Sequence, residues 1–119
     1  MKNTFVVTVG MDVCLQIFPL KGWEAFEKSL KDNLTWNILE NRRYFRTITA
    51  NASESTVDKQ GRIAVPPHLL EYAKIQKEVV IIGVSDRIEL WNPESYQQHL
   101  GSMAENIDAI SMKLNCQLK

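Results

Sequence analysis

The sequence predicts an α+β fold in which short antiparallel strands form a small barrel, with helices outside it. Three observations point there. FVVTVGMDVCLQIF (Phe5 to Phe18) and VVIIGVSDRIELW (Val79 to Trp91) each read as two short strands about a glycine-containing turn. The segments between and after them repeat apolar residues at helical spacings of three and four. A chain of 119 residues, 45% hydrophobic and 24% charged, fills one packed domain or two small half-units sharing a core, far from the profile of disorder.

Taken in order, the first strand pair turns at Gly10 to Asp12 and is closed by Pro19. A helix is expected from Lys21 to Lys31, where Trp23, Phe26 and Leu30 share a face, and a second from about Thr35 to Ile48, in a stretch where Leu34, Ile38, Phe45 and Ile48 keep the helical period. ANASEST is a loop entering a strand near Thr56 and Val57. LLEYAKI is a short helix, followed by the second strand pair about Gly83 to Arg87. Asn92 and Pro93 pair a helix cap with a first-turn proline. Beyond them Met103, Ile107, Ile110 and Leu114 line one face of a last helix, packed either on its own domain or on a neighbour.

The two strand pairs are copies of one another. Val6 to Trp23 aligns without a gap on Val79 to Tyr96, matching Gly10 with Gly83, Gln16 with Glu89, Phe18 with Trp91 and Trp23 with Tyr96 at a constant offset of 73 residues. A shared glycine, a shared acid-or-amide between aliphatics and aromatic pairs in register mark an internal repeat.

Charge and cysteines exclude several classes. Fourteen basic residues balance fourteen acidic ones, so no bulk positive field advertises nucleic acid or a membrane surface, and such a partner must be bound locally. No apolar run approaches the ~20 residues of a membrane span, and the N-terminus makes a poor signal sequence. A cytoplasmic protein is expected, with no membrane partner. Cys14 and Cys116 stand apart, with no CxxC and no neighbouring histidine cluster, which suits structural thiols and no metal. His68 and His99 lack a carboxylate or nucleophile beside them. GxGxxG, GxSxG and metal-ligand spacings are absent, so no enzyme, no cofactor and no small-molecule substrate is expected. Trp23, Trp36 and Trp91 read as core.

The densest chemistry lies in DKQGRIAVPP (Asp58 to Pro67). Gly61 takes positive φ at little cost and returns a tight loop into a strand. Asp58 is placed to accept backbone N–H groups across the loop, with Arg62 answering its charge. Ile63 and Val65 then face one way and Ala64 the other, as in a half-buried strand. Pro66 and Pro67 stop the ladder, and Pro67 opens the helix bearing Leu69 and Leu70.

Asp58, Gly61, Arg62, the run Ile63 to Pro66, the short helix and VVIIGVSDRIELW together resemble the second SpoVT/AbrB-type repeat of the MraZ family. The likeness also takes in RRYFR (Arg42 to Arg46) and the helix after Asn92. It implies a transcriptional regulator of the division and cell-wall gene cluster, nucleoid-associated, built of swapped-hairpin repeats in an AbrB-like barrel, and assembled as a homo-oligomeric ring on repeated promoter sites in double-stranded DNA. Residues 1–50 would be the remnant of a first repeat, 51–100 a complete second repeat, and 101–119 a C-terminal helix. The first copy of DKQGRIAVPP would fall before Met1, leaving a misassigned start, a shortened chain or a true loss as alternatives.

The resemblance carries DNA contact to Lys59 and Arg62, with Asp58 and Gly61 structuring the loop. Arg42, Arg43 and Arg46 complete a local positive excess and serve either DNA or the contact between subunits. The bland alternative is a solvated helix face plus a structural Asp58–Arg62 pair. A second class of function is an AbrB-like assembly module that oligomerises but has lost DNA binding with its first loop.

Overall fold

In the computed structural model, which describes residues 4–118, β1 (Thr4–Val9) and β2 (Leu15–Pro19) form the first antiparallel hairpin, from Phe5 opposite Pro19 to Val9 opposite Leu15. α1 (Leu20–Asn33) and α2 (Leu39–Ala50) follow. Next come β3 (Ser53–Thr56) on the outer side of β1, the Asp58–Arg62 loop and α3 (Pro67–Tyr72). The second hairpin is β4 (Val80–Val84) with β5 (Arg87–Trp91), and α4 (Pro93–Leu118) ends the chain.

The α+β class stands, and the sheet is open. Its order is β3-β1-β2-β5-β4. Closing it into the expected barrel would require β3 to meet β4, and these strands occupy opposite margins. Both margins have unpaired backbone groups among the described residues.

The repeat read from the sequence becomes an approximate twofold axis. β2 and β5 pair with Leu15 opposite Leu90, Gln16 opposite Glu89 and Ile17 opposite Ile88. Gln16 and Glu89 are each other's counterparts in the repeat, so the axis passes between them. The hairpin tips break the symmetry. Residues Gly10 to Cys14 connect β1 to β2, whereas Ser85 and Asp86 alone connect β4 to β5. Val7 therefore faces Ile17, but its counterpart Val80 faces Trp91, one residue out of step. The turn expected within Gly83 to Arg87 falls at Ser85 and Asp86: Gly83 itself lies inside β4, and Ser85 supplies the positive φ (57°) of the tight turn.

Alternation along the strands defines two faces. One carries Val6, Thr8, Gln16, Phe18 and Trp91. α1 covers it through Trp23 and Phe26, the Phe18 and Phe26 rings stacking at 4.9 Å, and α2 through Ile48, whose carbonyl accepts the Thr8 hydroxyl at 2.7 Å. The other carries Val7, Val9, Leu15, Ile17 and Leu90, all buried, beneath the strap from Val57 to Ile75 that includes α3. This cover thins toward β4, where Ile88 is 39% and Ile81 65% exposed.

Three local expectations are corrected. Ile63–Val65 keeps its in–out alternation but forms no ladder, since β3 ends at Thr56 and the Ala64 N–H finds only the Ser55 hydroxyl, at 3.2 Å. α2 begins at Leu39, not Thr35, because the Thr35 carbonyl closes a turn onto the Ile38 N–H and takes the Asn41 amide as well. Trp36, left on that turn, is 53% exposed, edge-on to Phe45, while Trp23 and Trp91 are core as expected. Asn92 caps α4 through the Ser95 N–H at 2.9 Å. The side chains of Leu114 and Cys116 lie outside the described residues.

Candidate nucleic-acid interface

The Asp58–Arg62 loop is closed by four hydrogen bonds. The Asp58 N–H donates to the Arg62 carbonyl at 2.8 Å and the Gly61 N–H to the Asp58 carbonyl at 3.1 Å. One carboxylate oxygen, Oδ1 of Asp58, accepts the N–H groups of Gln60 (2.8 Å) and Arg62 (2.9 Å). An acceptor two residues before an orphan donor is the Asx-turn pattern, and it explains an aspartate at the first position of the loop. Gly61 sits at φ +79°, where a side chain would be strained. The loop lies at the sheet end that also holds Thr4, since Thr56 faces Thr4 across β3 and β1.

The expected Asp58–Arg62 ion pair is absent: among the described residues the ion pairs are Lys28–Asp32 and Arg87–Asp86. Asp58 spends its carboxylate on the backbone. Lys59 and Arg62 are both exposed and have no carboxylate partner among the described residues. The loop therefore holds two cations toward solvent on a braced backbone.

The α2 arginines are not equivalent. Arg42 is half-buried and donates from Nη1 to the Trp36 carbonyl at 2.9 Å, tying the helix to the preceding turn. Arg43 and Arg46 are exposed. Between these arginines and the loop cations, no hydrogen bond or ion pair occurs among the described residues, and β3 separates the two groups along the chain.

A family described as "MraZ protein, putative antitoxin-like" matches residues 48–113, a span that contains the loop, α3, the second hairpin and most of α4. The chain belongs to the MraZ family. Proteins named Transcriptional regulator MraZ are similar to it over most of its length. The one from Pelotomaculum thermopropionicum is 42% identical over 112 residues, covering 94% of this chain and 77% of the relative. That from Caldicellulosiruptor saccharolyticus is 42% identical over 110 residues, covering 92% and 76%. That from Pediococcus pentosaceus is 40% identical over 114 residues, covering 96% and 79%. MraZ relatives are thus named for regulation and not for catalysis, in line with the non-enzymatic expectation.

One cation that the sequence reading passed over is central to this MraZ chain's packing. Arg87 donates from Nη1 to Gln16 Oε1 at 2.8 Å and from Nε to Asp86 at 3.0 Å, with its guanidinium 4.8 Å from the ring centroids of both Phe18 and Phe26. The hydrogen bond from Arg87 and its charge hold the Asp86 carboxyl below the usual carboxylate range. The repeat alignment contained a signal for it: Arg87 stands where the first copy has Cys14. Cys14 itself is buried, and desolvation, with the negative charges of Glu89 and Asp12 behind it, pushes its thiol up to about 12. Among the described residues no helix is long and apolar enough to cross a membrane, and no cluster of His, Cys, Asp or Glu is arranged to hold a metal.

Proposed function

We propose that the chain is the DNA-contacting part of a transcriptional regulator of the division and cell-wall gene cluster, acting as a homo-oligomer on repeated promoter sites in duplex DNA. The observation that carries this reading is the Asp58 carboxylate bound to backbone N–H groups instead of Arg62, which leaves Lys59 and Arg62 exposed on a fixed loop. Family membership and the relatives' names support the same direction.

Arg62 is the base-reading candidate, because a guanidinium grips the O6/N7 edge of guanine with two bonds. Lys59 is the phosphate contact, and Arg43 and Arg46 extend it. A single loop makes few contacts. Several copies on one oligomer add by avidity, which is how a chain of zero net charge would hold spaced sites.

Fluorescence anisotropy with duplex DNA from the region upstream of the gene, across a salt series, tests the reading. Arg62→Ala is expected to lose about 1–3 kcal/mol and to relax specificity at one base position. Lys59→Ala is expected to weaken all sequences alike and to lower the salt slope by about 1. Unchanged binding by a folded Arg62→Ala protein refutes the assigned role. Failure of the wild-type chain to bind any duplex leaves the assembly-module reading in its place.

A further inference from the structure

We propose that His99 is a proton-operated clasp: once charged, its imidazolium seats against the Trp91 ring and holds the start of α4 on β5 more firmly than the neutral ring does. The proposal does not depend on DNA contact.

The offset of 73 residues carries beyond the hairpins. Phe18, Trp23 and Phe26 of the first copy correspond to Trp91, Tyr96 and His99 of the second, and both trios close into clusters. In the first, Phe18 and Phe26 stack at 4.9 Å and Trp23 stands edge-on to Phe18 at 5.7 Å. In the second, the His99 ring lies 5.1 Å from Trp91, tilted by 39°, and Tyr96 stands edge-on to Trp91 at 5.6 Å.

The clusters differ in where a cation comes from. Arg87 crosses from the second hairpin and sets its guanidinium 4.8 Å from both Phe18 and Phe26. The residue related to Arg87 is Cys14, whose buried thiol brings no positive charge to the second cluster. That cluster contains instead a ring that can acquire a charge of its own. Histidine ordinarily does so between about pH 5 and pH 8.

Three features favour the charged ring. An aromatic face attracts a cation within about 6 Å of its centroid, and tryptophan does so best. The Trp91 indole N–H donates to Glu89 Oε1 at 3.0 Å, and a carboxylate on that N–H polarises the ring and makes its face more negative. The charges around the cluster lean the same way. β2 and β4, which flank β5, bring none. Lys74, Lys77, Glu78 and Glu94 line a cleft beside Asn92 and balance one another. Arg87, at the far end of β5, is matched by Asp86. Glu89 is left unbalanced, and it favours an imidazolium. Among the described residues His99 has no ion-pair partner that would draw it off the indole. Burial opposes charging, but His99 is half-buried and keeps part of its water.

One ring contact matters here because α4 is lightly held. Among the described residues it makes no extensive contact with another element, and Leu100, Ile107 and Met112 along it are exposed. Its start is fixed by Asn92, which caps the helix and donates to the Lys74 carbonyl at 2.6 Å, and by Tyr96 and His99 against Trp91.

Amide hydrogen exchange on the full chain from about pH 5.5 to pH 8 tests the proposal, read as protection relative to the unstructured chain so that the intrinsic pH dependence cancels. The proteins are wild type, His99→Phe, which installs the first copy's ring without a charge, and His68→Gln, which removes the other histidine, exposed on α3. In wild type, the amides from Tyr96 to Met103 are expected to gain about two- to fivefold in protection as pH falls, the range of a cation–π contact at a part-exposed site. The gain should vanish in His99→Phe and persist in His68→Gln. Wild-type protection that stays flat, or falls on acidification, overturns the proposal. So does a gain that survives in His99→Phe or disappears in His68→Gln. Nuclear magnetic resonance of the wild type gives a reading free of any variant. The Trp91 indole N–H signal should move over the same pH course as the His99 ring protons, and unrelated courses overturn the clasp.

Discussion

Oδ1 of Asp58 lies 2.9 Å from the backbone nitrogen of Arg62, and the Arg62 guanidinium is left out of the contact. The acid braces the loop and does not neutralise the base. Asp58→Ala should therefore cost little stability, about 0.5–1.5 kcal/mol, because water can satisfy the exposed Gln60 and Arg62 amides. Its effect on DNA affinity should be larger, since the loop loses its fixed shape. Asp58→Asn keeps the oxygen acceptor and should bind nearly as wild type. Melting curves and anisotropy on the two variants decide it. Tighter binding by both would mean that Asp58 merely repels phosphate.

Three backbone positions should respond for different reasons. Gly61→Ala meets no atom within 4 Å, so its cost is the left-handed φ alone, about 1 kcal/mol. Gly10→Ala would place a Cβ 2.8 Å from Cys14 Sγ and 2.9 Å from Gln16 Cγ, inside the core, and should cost about 1–3 kcal/mol through overpacking. Val13 is β-branched at φ 63°, so Val13→Gly should stabilise by up to about 1 kcal/mol by relieving that strain. Denaturant unfolding of the three gives the order.

Arg87→Ala removes the guanidinium from beside the stacked Phe18 and Phe26 rings and leaves Gln16 Oε1 buried without its donor. A loss of about 2–3 kcal/mol is expected, read as a lower unfolding midpoint at an unchanged denaturant slope. A loss below 0.5 kcal/mol, within the ~0.5 kcal/mol range of ordinary surface substitutions, would show the contact to be ornamental.

The Cys14 thiol, pushed up to about 12 by burial, should resist alkylation in the folded protein at neutral pH, with peptide mapping after labelling as the readout. The same shift has a stability consequence. The unfolded thiol, near its ordinary 9.0, releases its proton before the folded one does. Its contribution is therefore complete below pH 9 and disappears as pH rises toward 12. Tyr72 is raised as well, by burial first. Between pH 8 and 10.5, Cys14→Ala should lose less stability than wild type.

Elements set by local chemistry were legible in the sequence. Pro67 opens α3 and Asn92 caps α4 as their residue types require, and the two hairpins with their offset of 73 foretold a sheet with internal symmetry. The bracing role of Asp58 followed from its spacing to Gly61. What the sequence hid depends on pairing across the chain. Nothing local says that β3 and β4 end up on opposite margins, so the sheet stays open, or that Ile63–Val65 lacks a ladder partner. Trp36 reads as core because it sits in an apolar segment, but a turn whose carbonyls take the Asn41 amide and the Arg42 guanidinium leaves it outside the helix. The guanidinium of Arg62 was expected to seek Asp58, and two backbone amides reached that carboxylate first.

The one-residue slip between the hairpins also bears on how freely the two copies can be exchanged. Grafting Val79–Trp91 in place of Val6–Phe18 would look conservative in an alignment, with aliphatic set on aliphatic and glycine on glycine. If the graft kept its short tip, its outer strand would turn over, sending to one side the residues its predecessor presented to the other. The Thr8 hydroxyl would leave the Ile48 carbonyl without its donor. The two hairpins are alike in spelling but not interchangeable.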